Sequence, residues 1–344
     1  MTPKEEGFTF PAEWQQHKAT WLSFPWNPET WKDRLEKIYP SYFKFIQELS
    51  EVEEVHINVP NPSVKELIKS ELAKRGIPTD NIKLYDLPTN DSWCRDHGPS
   101  FIINAKNKEK AIVNWGYNAW GEKYPPFNDD NAIPSKVAAL KQLRLFEPDL
   151  ILEGGSIEVN GKGTLITSES CLLNKNRNPH LNKAEIEQLL LDYYGMHQIL
   201  WIKEGIAGDD TDGHIDDTTR FINENTILTA IESNRLDDNH RALKNNLYLL
   251  KEMKLLNGEK INIVELPMPK PVYEEGIRLP ASYANFYICN NKVIVPTYQC
   301  TQDDIALRII ESCFPKRKII GIDSTDIIWG LGSFHCLSQQ EPYL

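Results

Sequence analysis

The chain has 344 residues, 40% of them hydrophobic, and a formal net charge of −11 at pH 7. That length allows one large core or two ordinary domains, and no run of eighteen apolar residues is present that could form a membrane-spanning helix. The acidic balance disfavours nucleic acid and anionic membrane surfaces, which need clustered Lys or Arg, and it suits a cationic ligand.

In chain order, the start MTPKEEGFTFPAEW lacks the basic and apolar regions of a signal peptide, so a cytoplasmic protein is expected. Apolar residues at helical spacing predict helices over 33–50 and 63–74, with Asp33 and Ser63 as their starts. A polar loop, Trp93-Cys-Arg-Asp96-His-Gly-Pro99, precedes two apolar runs, Ser100–Asn104 and Ala111–Trp115, and then a helix over 135–146. The outline recurs: the loop Leu152-Glu153-Gly-Gly-Ser156, runs over 156–160 and 163–167 joined by Gly161-Lys162, and a helix over 183–194 starting at Asn182. The loop Asp209–Asp217 follows, with runs 220–223 and 226–229 and a helix over 238–254. Next come Leu279-Pro-Ala-Ser282, runs 285–289 and 292–295 joined by Asn290-Asn291, and a helix over 302–313; the loop Gly330-Leu-Gly-Ser-Phe-His-Cys336 closes the series.

Paired runs with Gly or Asn between them read as β-hairpins. One hairpin and one helix cannot bury their own apolar faces, so a unit returning about every sixty residues points to a radially repeated α/β architecture of ββαβ type. The alternative is an ordinary mixed α/β fold with chance similarity among the hairpins. No low-complexity linker divides the chain, and a single domain over 1–344 is expected.

Nearly all the distinctive chemistry lies in the loops, which a radial fold would bring together. Six cysteines, at 94, 171, 289, 300, 313 and 336, form no C-x-x-C pair, which argues against a disulfide framework or structural zinc. A lone cysteine is usually a small buried hydrophobe, and five of them keep that reading. Cys336 differs because it sits among glycines and would share a pocket with a histidine and carboxylates, the parts of an activated nucleophile.

His214 is flanked by Asp209, Asp210, Asp212, Asp216 and Asp217, and a carboxylate beside an imidazole orients it for proton transfer near neutral pH. His17, His56, His180, His197 and His240 read as hydrogen-bonded structural histidines, with His97 and His335 as uncertain neighbours of the site. Asp96 and Glu153 complete the set, because planar carboxylates match the paired N–H edges of a guanidinium and two of them would fix its carbon for attack. A rival is a manganese hydrolase that cuts guanidino compounds to urea, since Asp212-Gly-His214-Ile-Asp216 has its D-x-H-x-D spacing; the second carboxylate segment of such a site is absent.

From end to end the chain resembles the agmatine deiminase family, within the guanidino-modifying group that includes peptidyl-arginine and arginine deiminases. The resemblance is carried by Pro11-Ala-Glu-Trp14, Asn90–Pro99, Asn118-Ala-Trp-Gly121, Leu152–Ser156, Cys171-Leu-Leu-Asn-Lys-Asn-Arg-Asn-Pro179, Asp209–Asp216, Leu279–Phe286 and Gly332–Gln340. It implies a five-bladed α/β propeller, the pentein fold, with the site in a central channel. It also implies Cys336 as nucleophile, His214 as acid and base, Asp96, Glu153 and Asp216 as surrounding carboxylates, and Trp93, Trp120 and Asp210 as substrate-holding residues. Cys94 and His97 stand where many members have Met and Thr, and Asp210 where several have Glu.

The expected reaction converts agmatine to N-carbamoylputrescine and ammonia with no metal or organic cofactor. The expected partner is a small cationic guanidino compound, neither nucleic acid nor membrane, with self-association left open. Deimination of free or peptide-linked arginine, and a pentein that only binds, are the remaining alternatives.

Overall fold

The computed structural model describes residues 1–344, and its eighteen strands fall into five separate three- or four-stranded sheets and one short hairpin. In chain order they are β1 (His17–Ser23), β2 (Glu54–Val59), β3 (Ile82–Asp86), β4 (Ser100–Asn104), β5 (Glu109–Val113), β6 (Arg144–Phe146), β7 (Ile157–Val159), β8 (Thr164–Ser168) and β9 (Gln198–Ile202). The remainder are β10 (Thr219–Asn223), β11 (Thr226–Ile231), β12 (Asn262–Pro267), β13 (Val272–Glu274), β14 (Ile277–Leu279), β15 (Tyr287–Cys289), β16 (Lys292–Thr297), β17 (Lys318–Asp323) and β18 (Ser338–Pro342).

Four sheets share one plan: β4-β5-β6, β7-β8-β9, β10-β11-β12 and β15-β16-β17. In each, the first two strands form an antiparallel hairpin, the chain then makes a helix, and the third strand returns parallel to the second. This is the ββαβ unit expected from the recurring pattern. Its turns use residues that tolerate positive φ, such as Gly161 at +65° and Asn291 at +62°. The fifth sheet has the order β18-β1-β2-β3, so a strand from the far end of the sequence pairs antiparallel with β1. The hairpin β13–β14 lies outside the pattern.

Several helix boundaries differ from expectation, each for a local reason. Asp33 lies in a 3-10 turn with non-helical backbone angles, and the long helix begins at Leu35. The second helix, Pro62–Arg75, is capped by Asn61, whose side chain accepts from the Val64 amide at 3.0 Å, with Pro62 pre-set for the first turn; Ser63 is already helical. Asn182 does start its helix, Lys183–Tyr193, through a reciprocal capping box with Glu185. The segment expected to be helical over 135–146 is helix only for Ile133–Lys141. Gln142 turns left-handed at φ 54°, Leu143 donates to the Ala138 carbonyl at 2.9 Å, and Arg144–Phe146 pair with β5 as β6.

The connections entering the hairpins lie together. The turn Cys94–His97 before β4 touches Gly154–Ser156 before β7, which touches Ile215–Asp217 before β10, and the 94–97 turn also touches β18. The largest apolar cluster runs from the helix Leu35–Ser50 through Leu22 and Ile57 to Trp93, Trp120, Phe334 and Cys336. Hydrophobic burial beneath the β18-β1-β2-β3 sheet is thus continuous with the packing around the final polar loop.

Candidate active site

Cys336 lies in the loop before β18 and is 5% exposed. Asn285 clasps it: the Asn285 Oδ1 accepts from the His335 amide at 3.1 Å and the Cys336 amide at 3.3 Å, while Nδ2 donates to the Cys336 Sγ at 2.9 Å and to Asp217 Oδ1 at 2.9 Å. On the other side the Arg95 amide donates to the Cys336 carbonyl at 3.0 Å. The sulfur is 3.6 Å from Asp216 Oδ2. Burial, followed by the fields of Asp216, Asp217 and Asp96, pushes this thiol well above its ordinary range, so these surroundings hold it as a neutral thiol.

Asp96 is fixed at both oxygens. Oδ1 accepts the Gly155 amide and Oδ2 accepts the Trp120 indole N–H, each at 3.0 Å. Burial, reinforced by Asp216 and Glu153 and opposed by His214, pushes its carboxyl up to about 6. His214 is fully buried, with Nδ1 3.7 Å from Asp96 Oδ1 and no hydrogen-bond partner on either ring nitrogen. Burial alone would lower its affinity for a proton; Asp96, the neighbouring Cys171 and Asp216 outweigh that and hold the imidazole well above its usual range. Gly155 is the spacer. A Cβ there would stand 2.6 Å from His214 Nδ1, 2.8 Å from Asp96 Oδ1 and 3.1 Å from Asp216 Oδ2.

Glu153 is buried, and its Oε1 accepts from Arg177 Nε at 2.6 Å while Oε2 has no partner. Arg177 extends the contact to Asp212 Oδ2 at 2.6 Å, which ties the loop carrying His214 to the loop carrying Glu153. Asp216 Oδ2 contacts His335 Nδ1 at 2.6 Å, and Oδ1 is buried without a partner. The site therefore contains unpaired acceptors at Glu153 and Asp216 that a planar N–H-rich cation would satisfy.

A cavity of about 730 Å³ leads to this cluster. Cys336, Asp96, Trp93, Trp120 and Asp210 line it, with Trp26, Tyr124 and Trp329 among the aromatic walls. His214, Glu153 and Asp216 are fully buried behind that lining. Lys123 is the sole basic side chain in the wall, and it is already paired with Asp210 Oδ1 at 3.2 Å and Asp212 Oδ1 at 3.0 Å. Tyr124 also donates to Asp210.

All eight residues singled out from the sequence thus belong to one cavity or to the cluster at its base. His335 joins them, whereas His97 is buried against Tyr117, 4.0 Å from Asp130, and burial takes its imidazole down to about 3. The residues missed are Asn285, Glu13 and Arg177, and Asp217 was named only as a neighbour of His214. Asn285 had a positional signal, since it stands at the mouth of a hairpin as Ser100, Ser156 and Thr219 do. Glu13 had none.

Metal-ligating atoms within 4.8 Å of one another occur in two sets, Glu153–Cys171–His214 and Asp216–Asp217–Cys336. The D-x-H-x-D spacing does not yield a shared site, because Asp212 turns to Arg177, Lys123 and Asn176. The carboxylates and the thiol instead surround a space suited to a guanidinium.

A family profile described as Porphyromonas-type peptidyl-arginine deiminase matches residues 9–342. An agmatine deiminase of Pseudomonas aeruginosa (strain LESB58) is 33% identical, over 99% of this chain and 97% of its own length. The solved agmatine deiminase of Enterococcus faecalis superimposes with a TM-score of 0.92 at 30% identity, covering 99% of this chain and 97% of that one. A C. jejuni agmatine deiminase, solved as a Cys-to-Ser variant with substrate bound, gives a TM-score of 0.87 at 37% identity, over 97% of this chain and 96% of that one.

Proposed function

The chain belongs to the Porphyromonas-type peptidyl-arginine deiminase family of hydrolases, and from that premise we propose that it is an agmatine deiminase, converting agmatine and water to N-carbamoylputrescine and ammonia. The observation that carries this reading is the buried Cys336 thiol at the base of a cavity, 3.6 Å from a carboxylate that has a free oxygen. The preference for agmatine over arginine rests on the wall. Glu29, Asp91 and Asp210 face the cavity, and its one basic side chain is already engaged, so a distal ammonium is matched and a distal carboxylate is not.

In the proposed cycle the guanidinium lies between Asp96 and Asp216 with its carbon over the Cys336 sulfur. Its positive charge offsets the three carboxylates that hold the thiol neutral, so when substrate is in place the thiol gives its proton to solvent and the thiolate forms. Sulfur attacks carbon, a C–S bond forms, and electrons move onto the guanidinium nitrogens. The imidazolium of His214 gives its proton to the departing nitrogen; the C–N bond breaks and ammonia leaves a covalent S-alkylthiouronium. His214, now neutral, takes a proton from water as the oxygen adds to the same carbon. The C–S bond then breaks, and the proton of the added hydroxyl passes to the departing sulfur, restoring the neutral Cys336 thiol and releasing the ureido product. Glu153, anchored by Arg177, supports the nitrogen face of the cation. Trp93 and Trp120 flank the substrate's alkyl chain, and Asp210 stands toward the amine.

We also infer that the five sheets are the blades of a single five-bladed propeller domain over 1–344, in a cytoplasmic protein. The shared ββαβ plan and the contacts among the hairpin mouths support that arrangement.

The test compares agmatine, arginine and an arginine peptide, with ammonia release and product identification. N-carbamoylputrescine from agmatine is expected, with arginine at least about 100-fold slower in kcat/KM, as befits a charge left unmatched. Cys336→Ala is expected to abolish turnover and keep agmatine binding. Ammonia release persisting in that variant, or equal turnover of arginine, overturns the reading.

A further inference from the structure

Behind the nucleophile lies a buried chain of charges that the cycle above does not use. His335, the residue before Cys336, has Nδ1 2.6 Å from Asp216 Oδ2 and Nε2 2.7 Å from Glu13 Oε2. Glu13 is itself fixed: Oε1 accepts Arg220 Nη2 at 2.9 Å and the Ile288 amide at 2.8 Å, and Oε2 accepts Arg95 Nη2 at 3.3 Å. Burial would raise the Glu13 carboxyl, but Arg220, His335 and Arg95 hold it well below its usual range. Glu13 is therefore an acceptor only. Asp216 is likewise held low against the effect of burial, with His335 the leading cause. A short hydrogen bond to each of two carboxylates requires a proton on each ring nitrogen of His335, and such a ring carries a positive charge.

We propose that His335 and Glu13 are positioning residues for the reaction, a Glu13–His335–Asp216 chain that occupies one oxygen of Asp216, leaves the other free for the substrate guanidinium, and offsets the Asp216 charge beside the Cys336 sulfur. The proposal rests on the roles given above to Cys336 and Asp216. Its geometric basis is the division of Asp216, with Oδ2 bonded to His335 and Oδ1 buried and unpartnered. An untethered carboxylate in that position could rotate either oxygen toward the sulfur. The tether is rigid because its far end is bound by two arginines, both buried. The charged groups facing His335 are Asp216, Glu13, Arg95, Arg220 and Glu158; those facing Cys336 are Asp216, Asp217 and Asp96, with the phenol of Tyr298.

Two substitutions divide the roles of the ring. The amide nitrogen of Asn overlays Nδ1 and that of Gln overlays Nε2. His335→Asn therefore keeps the donor to Asp216, and His335→Gln keeps only the donor to Glu13. Steady-state kinetics with agmatine are combined with the pH dependence of Cys336 alkylation by iodoacetamide, followed on the Cys336 peptide by mass spectrometry. Expected is a kcat loss of about 100-fold in His335→Gln, of which His335→Asn recovers at least about tenfold. The alkylation midpoint is expected to rise by about one pH unit in both variants, since both lose the positive charge.

Equal kcat in the two variants, or alkylation profiles that overlay the wild type, overturns the proposal. Should His335→Gln fail to fold, an unchanged alkylation midpoint in His335→Asn overturns it alone. A wild-type protein inert toward agmatine whose variants still shift the midpoint sinks the substrate reading and leaves the tether standing.

Discussion

Gly155 shows how little room separates the groups that would share the substrate. Adding one methyl group there puts carbon 2.6 Å from His214 Nδ1 and 2.8 Å from Asp96 Oδ1, inside contact distance of both. Gly155→Ala is expected to lower kcat by about 100-fold and to cost about 1–3 kcal/mol in urea unfolding, because the crowding falls on side chains that must not move. Asp96 gives a pH prediction of definite sign. Its carboxyl is raised to about 6 and must be ionised to hold a guanidinium, so kcat/KM for agmatine falls as pH drops through that value. A profile that stays flat down to about pH 5, well below that value, would remove Asp96 from its role. At this scale the sequence was legible where residue type and neighbours were both unusual, as for Cys336 among glycines and His214 among aspartates. Asn285 and Glu13 escaped because their importance comes from partners distant in the chain: the Glu13 carboxylate meets Arg95, Arg220 and His335.

Among elements, the hairpins were legible and the third strands were not. The hairpin runs are almost fully buried, as in β8 and β16, and Gly or Asn marks several of their turns. The returning strands β9, β12 and β17 are edge strands of mixed burial, with no alternation that would separate them from the ends of helices. The segment 135–146 shows the result, with Arg144–Phe146 drawn into a sheet by pairing that no local pattern encodes. In β18, Glu341 receives the Trp21 indole N–H at 2.9 Å, Lys110 at 2.9 Å and Lys141 at 2.5 Å, joining the last strand to β1, β5 and a helix. Glu341→Gln is expected to destabilise the protein by about 1–3 kcal/mol in urea, since it leaves two half-buried lysines short of their buried counter-charge. Burial works against it, but the lysines keep this carboxyl below its usual range. Its contribution is therefore present above the unfolded carboxylate value, near about 4.3, and is lost as pH falls through the lower folded value. A wild-type minus variant stability difference that grew on acidification would contradict this.

For the molecule as a whole, repetition along the chain disclosed the architecture: four hairpin-and-helix units, each too small to bury itself, became four sheets of one plan. The fifth sheet was hidden because its strands come from opposite ends of the chain, with Thr20 pairing to Gln340 and Ala19 to Glu54. Net charge also acts at this scale. With −11 overall and Glu29, Asp91 and Asp210 in the cavity wall, the field draws cations inward. Raising NaCl from about 20 to about 300 mM is expected to lower kcat/KM for agmatine severalfold and leave kcat nearly unchanged, because screening acts on encounter. Stopped-flow or steady-state titration across that range checks it, and a salt-independent kcat/KM would show that the field does not steer the substrate.

The pairing of β18 with β1 also governs when this protein can first react. Cys336 follows all four repeated sheets in synthesis order, and its loop is seated by Asn285, Arg95 and a strand that must find residues made more than three hundred positions earlier. A nascent chain emerging from the ribosome would carry carboxylates and imidazole already in folded surroundings, with the Cys336 sulfur not yet among them. Nucleophilic chemistry toward cellular guanidines would therefore switch on in a single late event, after the rest of the body has formed.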